Sequence, residues 1–299
     1  MKRDFLTLSD FSKNEIEAVL ARAIELKRLA KSGACPKPFS GKTLALIFEK
    51  SSTRTRVSFE VAMNKLGGQC VYLNQDMSQL GRGESYADTA RVLSRYVDGL
   101  VLRTYSHFSL TELARYATIS VINGLTDSHH PCQLMADMMT ILEHKKSLAD
   151  MSIAYVGDGN NMTHSWIEAA FIMGFQLRVA TPEDYACDQA VIAPYVKASN
   201  IIFTTDPLVA VKNADVINTD TWFSMGQDVS EEKRQKFWPF QVNAQMLTHA
   251  KKDAIVMHCL PAHRGEEITD AIIDGPRSVV FDEAENRLYA QMAILETAL

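Results

Sequence analysis

A chain of 299 residues with 46% hydrophobic and 22% charged positions has ordinary globular composition and the length of about two domains. Its net charge of −5 counts against non-specific nucleic-acid binding, which needs a basic field. No run approaches the ~20 apolar residues of a transmembrane helix, Asp10, Lys13, Asn14, Glu15 and Glu17 break any leader-like stretch, and the cysteines at 35, 70, 132, 187 and 259 fit neither a disulfide scaffold nor a zinc ribbon, so we expect a cytoplasmic chain that binds neither nucleic acid nor membrane.

Short apolar runs alternate with longer stretches at helical spacing, the pattern of a parallel α/β protein. The first strand, 43–48, leads into Lys50-Ser51-Ser52-Thr53-Arg54-Thr55-Arg56, a cationic stretch out of character with the acidic total. Phe59, Ala62, Met63 and Leu66 then mark one face of a helix that begins near Thr55 and stops at Gly67-Gly68. A helix start offers unpaired N–H groups and partial positive charge. Hydroxyls from Ser52, Thr53 and Thr55 and guanidiniums from Arg54 and Arg56 add to it, which suits a small phosphorylated ligand. The motif lacks the glycines and Lys of a P-loop, and its plain alternative is a solvated helix start.

A strand over 70–73 follows, then a helix announced by the capping-box spacing of Ser85 and Asp88 and carried by Ala87, Ala90, Leu93 and Val97. The strand 99–103 ends on Arg103, at the carboxyl end where open α/β sheets bind ligands, and an exposed Arg at a strand terminus is the other reading. After the strand 119–122 comes His129-His130-Pro131-Cys132-Gln133, which fits no zinc spacing. A His that donates to a carbonyl oxygen beside a Gln amide is one use of these atoms, and a structural His is the other. Pro131 opens a helix through Leu134, Met138 and Leu142 to about Lys146, and the polar tract 144–147 marks a boundary.

In the second half, strands are expected over 152–156, 176–180, 201–204, 216–218 and 254–257. The first ends in Gly157-Asp158-Gly159-Asn160-Asn161-Met162, half a dinucleotide fingerprint. Met162 holds the third glycine position, and Ala180-Thr181-Pro182 lacks the ribose-binding acid, so the NAD reading is weak and an Asn pair gripping a polar substrate is favoured. Asp220-Thr221-Trp222-Phe223-Ser224-Met225-Gly226 follows the strand 216–218 and either offers a carboxylate and a hydroxyl for an ammonium group or is an ordinary loop capped by Asp. His258-Cys259-Leu260-Pro261 follows the strand 254–257. Cys259 as a nucleophile with His258 as its base is weakened because adjacent strand residues face opposite ways. A last helical stretch runs over 282–299, and periodicity does not say with which half it packs.

Taken together these motifs, from Phe5 to near Leu295, resemble the aspartate/ornithine carbamoyltransferase family. Ser52-Thr53-Arg54-Thr55-Arg56 and His130-Pro131-Cys132-Gln133 look like its carbamoyl-phosphate signatures. The Ser-Met-Gly loop within 220–226 and the motif at 258–261 are similar to its ornithine-specific branch, whereas the aspartate branch lacks that loop.

The resemblance implies two doubly wound parallel-sheet domains of similar size with the active site in the cleft between them. The carbamoyl-phosphate-binding domain would comprise 1–133 plus a C-terminal helix at about 284–299, the ornithine-binding domain 147–283, and an interdomain helix 134–146. It implies that Ser52, Thr53, Arg54, Thr55 and Arg103 hold phosphate, and that Thr55, Arg103 and His130 reach the carbamoyl oxygen. Gln133 and the carbonyls of Cys259 and Leu260 would bind the carbamoyl amino group, and Arg287 would close on the ligand. Asn161, Asp220, Ser224 and Met225 match ornithine contacts, with Cys259 near the δ-amine, and Gln79 matches a residue sent into a neighbouring subunit's site. The expected assembly is a homotrimer with shared sites, and neither metal nor organic cofactor is required. The chemistry agrees: attack of a neutral amine builds negative charge on the carbonyl oxygen and expels phosphate, so cationic and hydrogen-bonding groups belong at both.

Overall fold

The computed structural model describes residues 2–74, 79–80, 83–223 and 230–299, and these divide into two compact units. The first comprises Met1–Met139 with Glu285–Leu299, the second Thr140–Ala284.

In the first unit, β1 (Thr43–Phe48), β2 (Gln69–Asn74), β3 (Gly99–Arg103) and β4 (Ser120–Leu125) form a parallel sheet in the order β2-β1-β3-β4. Helices α1 (Lys13–Lys31), α2 (Thr53–Lys65), α3 (Tyr86–Leu93) and α4 (His107–Tyr116) belong to this unit, and α5 (Pro131–Lys145) leads out of it. The central strand β3 is buried along its whole length, as a strand covered on both faces must be, while the edge strand β2 alternates with solvent. Ala45, Ile47, Leu100 and Leu102 pack with Leu110 and Leu113 of α4, each large aliphatic contributing about 1.5–3 kcal/mol of burial.

In the second unit, β5 (Ser152–Val156), β6 (Gln176–Ala180), β7 (Ile201–Thr204), β8 (Val216–Thr219) and β9 (Ile255–His258) are again parallel, in the order β7-β6-β5-β8-β9. Around them lie α6 (Asn161–Met173), α7 (Gln189–Ile192), α8 (Pro207–Val211), α9 (Glu231–Phe237), α10 (Ala244–Leu247) and α11 (Asp270–Ile273). The final helix, α12 (Val280–Ala298), starts in this unit and ends in the first. There its last turns are held by an Arg22–Glu296 ion pair at 2.6 Å and by Ser120 Oγ donating to the Ala298 carbonyl at 2.7 Å.

Each sheet changes winding direction once, between β1 and β3 in the first and between β5 and β8 in the second. Ligands of open α/β sheets bind at the carboxyl ends of strands at such a switch.

The expected strands all form, with small shifts at their ends. The strand expected over 119–122 runs on through Asn123-Gly124, where the register slips so that Leu102 pairs with Asn123 but Arg103 with Leu125. The turn-like Asn-Gly pair is therefore a bulge beside Arg103. Helix α2 starts two residues before the expected Thr55, because the Ser52 hydroxyl caps it by accepting the Thr55 N–H at 3.2 Å. Lys13, Asn14, Glu15 and Glu17 lie in the first turns of α1, where Ser12 and Glu15 form a reciprocal capping box, and Asp10 ends a short 3-10 turn before it. Among the described residues no helix is long and apolar enough to cross a membrane.

Candidate active site

In the first unit the switch lies where β1 and β3 run side by side, with Phe48 paired to Arg103. This register brings the cationic stretch after β1 next to Arg103, which lies 55 residues further along the chain than Phe48. Thr55 sits in the first turn of α2, fully buried, and its Oγ1 accepts hydrogen bonds from Arg103 Nη1 at 3.4 Å and Arg287 Nη2 at 2.6 Å. Arg287, on α12, also donates from Nη1 to Gln133 Oε1 at 2.9 Å, and Gln133 Nε2 donates to Asp137 at 2.8 Å. Gln133 stands in the first turn of α5, whose opening proline follows His130.

Arg103 and Arg287 are both buried, so the field of their two guanidiniums is little screened by solvent. The His130 side chain registers it. Burial, then the charges of Arg287 and Arg103, hold its pKa well below the usual 6.5, so the imidazole is neutral at physiological pH. Ser52 and Arg54 are half-buried at the rim and Thr53 is exposed.

The other cations of the motif are spent locally. Lys50 pairs with Asp127 and lies 4.1 Å from the Tyr105 ring centroid. Arg56, expected to add a second guanidinium for an anion, instead pairs with Glu60 at 2.9 Å and stacks 3.7 Å from the Tyr72 centroid. Its i,i+4 carboxylate, Glu60, is visible in the sequence and signals this. Cys132 is a buried structural thiol, raised to about 12 by burial and donating to the Asn123 carbonyl at 3.3 Å. Gln79 is exposed, its carbonyl accepting the Glu84 N–H.

In the second unit the switch joins the ends of β5 and β8, with β9 beside β8. Asn160 caps α6, its Oδ1 accepting the N–H groups of Met162 at 2.9 Å and Thr163 at 3.3 Å. Its Nδ2 donates to Asp220 Oδ2 at 2.9 Å, and the Cys259 thiol donates to Asp220 Oδ1 at 3.1 Å. Asp220 and Cys259, from separate motifs of the sequence, are thus in contact. The connecting residue, Asn160, is the first of the Asn pair that the sequence suggests for gripping a polar substrate, and Asn161 follows as the half-buried first residue of α6. Ser224 and Met225 lie outside the described residues.

His258 is not a base for Cys259. Its Nδ1 accepts the Leu260 N–H at 2.9 Å and its Nε2 meets Glu267 Oε1 at 3.0 Å, so both ring nitrogens are engaged with other partners and neither is left to take the thiol proton. Leu260 adopts φ 56° and is followed by a cis bond to Pro261.

The Gly-x-Gly stretch has a local cause. A Cβ on Gly159 would stand 2.4 Å from the Cys187 nitrogen and 2.6 Å from the Tyr185 carbonyl oxygen. The glycine admits the chain's own backbone, which removes the need for a dinucleotide to explain it. Beside it Asp158, which sequence reasoning passed over, is buried and pairs with buried Lys233 at 3.2 Å. Desolvation outweighs that cation, and Asp220 adds repulsion, so the Asp158 carboxyl is pushed up to about 6.

Two clusters among the described residues have the donor types for a metal ion: Asp220, His258 and Cys259, and His263, Glu266 and Glu267. In the first both His258 ring nitrogens are already engaged, and in the second Glu266 is paired with Arg234 at 2.9 Å.

Family models match nearly the whole chain. Residues 3–143 match the aspartate/ornithine carbamoyltransferase carbamoyl-P binding domain, and residues 149–298 match the Asp/Orn binding domain of the same family. The ornithine carbamoyltransferase of Syntrophus aciditrophicus is 52% identical over 299 residues, covering 99% of both chains. That of Carboxydothermus hydrogenoformans is 54% identical over 303 residues, covering 99% of this chain and 97% of the relative. The solved ornithine carbamoyltransferase from Pyrococcus furiosus superposes with a TM-score of 0.95 at 53% identity, covering 98% of this chain and 96% of that one.

Proposed function

Because the chain belongs to the aspartate/ornithine carbamoyltransferase family, we propose that it transfers the carbamoyl group of carbamoyl phosphate to the δ-amino group of L-ornithine, giving L-citrulline and phosphate in arginine metabolism. The observation that carries this reading is the convergence of Arg103, Arg287, Thr55 and neutral His130 at the first switch point. That cluster suits a ligand with a dianionic end and a carbonyl oxygen on which charge develops.

Ser52, Thr53, Arg54, Thr55 and Arg103 hold the phosphate. Thr55, Arg103 and His130 donate to the carbamoyl oxygen, while Gln133 and the carbonyls of Cys259 and Leu260 take the amino group and Arg287 completes the anion site. Asn161, Asp220, Ser224 and Met225 bind ornithine, and desolvation near Cys259 favours the neutral δ-amine. Its lone pair attacks the carbamoyl carbon, the carbonyl oxygen gathers charge, the C–O bond to phosphate breaks, and the amine's proton leaves with the products.

The enzyme works in the cytoplasm, a reading supported by five cysteines that are all free thiols. It assembles as a homotrimer with shared sites, Gln79 reaching a neighbour's. Mass measurement beside activity on dilution tests this, since isolated subunits are expected to be inactive.

Phosphate release from carbamoyl phosphate, assayed with ornithine, putrescine and acylated ornithine as acceptors, is expected to be fastest with ornithine. Arg54→Ala should abolish carbamoyl-phosphate binding and Asp220→Ala should chiefly raise the ornithine KM. Near wild-type kcat/KM in both variants, or preference for another amine, would refute the assignment.

A further inference from the structure

Beside Asp220 the second unit buries another carboxylate that the reaction as described does not use. Asp158 and Lys233 are paired at 3.2 Å with each side chain only 9% exposed, so the pair is shielded from solvent. Three aromatic rings surround the ammonium, with centroids at 4.8 Å for Tyr185, 5.3 Å for Phe223 and 5.3 Å for Phe237. Such a cage holds a cation in place through ring quadrupoles as well as through its carboxylate. On the other side, the Asp158 carbonyl accepts from Thr163 Oγ1 at 2.6 Å, which fixes the turn bearing Asn160, and Asn160 in turn donates to Asp220.

The arrangement poses a problem of selectivity. Asp158 and Asp220 lie close enough to repel each other, so an acceptor ammonium held by Asp220 has a second carboxylate beside it. Resting on the reading of Asp220 as the ammonium contact, we propose that Lys233 is a positioning residue for the acceptor: it occupies Asp158 with an internal ammonium, which keeps the 158–160 turn in place and directs the acceptor's own ammonium to Asp220.

The groups facing Asp158 are Lys233 from α9, Asp220 after β8, Tyr155 from β5 and Cys187 from the segment before α7. Of these Lys233 is the cation and lowers the Asp158 pKa, so its removal moves the carboxyl further above 6. The acid limb of kcat/KM for ornithine then shifts to higher pH.

The test compares Lys233→Met, Lys233→Arg, Asp158→Asn and the Met/Asn double variant by steady-state kinetics from pH 5.5 to 9, with carbamoyl-phosphate affinity measured separately by calorimetry. Lys233→Met is expected to raise the ornithine KM by about ten- to hundred-fold, the cost of a misplaced contact, while carbamoyl-phosphate affinity stays unchanged. Lys233→Arg should restore most of the loss. Asp158→Asn should remove the shifted acid limb, and the double variant should be no worse than Lys233→Met. An unchanged ornithine KM in Lys233→Met, or equal loss of both substrates' binding, would overturn the positioning role. Asp220→Asn serves as the control that separates the two readings. If it leaves the ornithine KM unchanged the site assignment fails and this role with it, whereas an effect of Asp220→Asn without one of Lys233→Met defeats the positioning role alone.

Discussion

His130 illustrates how a side chain's role is set by its neighbours. An imidazole in water is half protonated near pH 6.5, but here burial and two guanidiniums keep it neutral well below that. The folded state therefore binds this proton less readily than the unfolded chain does, so the contribution to stability is present above pH 6.5 and is lost on acidification. A neutral ring donates a hydrogen bond without adding a charge to a site already rich in cations. His130→Asn is expected to lower kcat by about 10²–10³-fold, the usual cost of one donor to a developing oxyanion. Because the ring does not titrate near neutrality, the pH profile of kcat should keep its shape. Disappearance of a limb near 6.5 in the variant would show instead that the imidazole titrates there. The sequence placed His130 beside a Gln, but left open whether it was structural, since the charges that decide the matter come from Arg103 and Arg287, distant along the chain.

Among the secondary-structure elements, the strands were legible because continuous apolar runs leave little choice in a parallel sheet buried on both faces. Their ends were less so. At β4 the Asn-Gly pair reads as a turn, and only pairing with β3 shows it to be a bulge. The segment after β5 was ambiguous for a similar reason, since a glycine demanded by a pyrophosphate and one demanded by the protein's own backbone look the same in sequence. Gly159→Ala tests which applies. With backbone atoms of 185–187 within 2.6 Å of the new Cβ, the variant is expected to lose several degrees of Tm or fail to fold, and nicotinamide dinucleotides should leave the wild-type melting curve unmoved. A wild-type Tm raised by NAD would reopen the dinucleotide reading.

At the level of the chain's two units, continuity differs. The second is one stretch, Thr140–Ala284, whereas the first needs residues 285–299 to complete it. Met292, Ala293, Ile294 and Leu295 are fully buried, and Arg22 and Ser120 bind the end of the helix. Losing several such side chains at about 1.5–3 kcal/mol for each large one exceeds the margin of an ordinary domain. A fragment of residues 140–284 is therefore expected to melt cooperatively, while residues 1–139 alone should show no cooperative transition by circular dichroism until a peptide of residues 280–299 is supplied. A cooperative transition in 1–139 alone would contradict this account.

By itself the sequence determined the alternation of strands and helices, the chemical character of each loop at a strand's carboxyl end, and a resemblance specific enough to name a family. These are local properties, fixed by spacing and residue type. The tertiary structure decided which loops are neighbours. Strand order sets β1 against β3 and β5 against β8, and so joins Thr55 to Arg103 and Asn160 to Asp220. It also decided that Lys50 and Arg56 are neutralised nearby while Arg287 returns through the last helix to Thr55 and Gln133. Hydrogen bonds and charges act over a few ångströms of space, and distance along the chain says little about them.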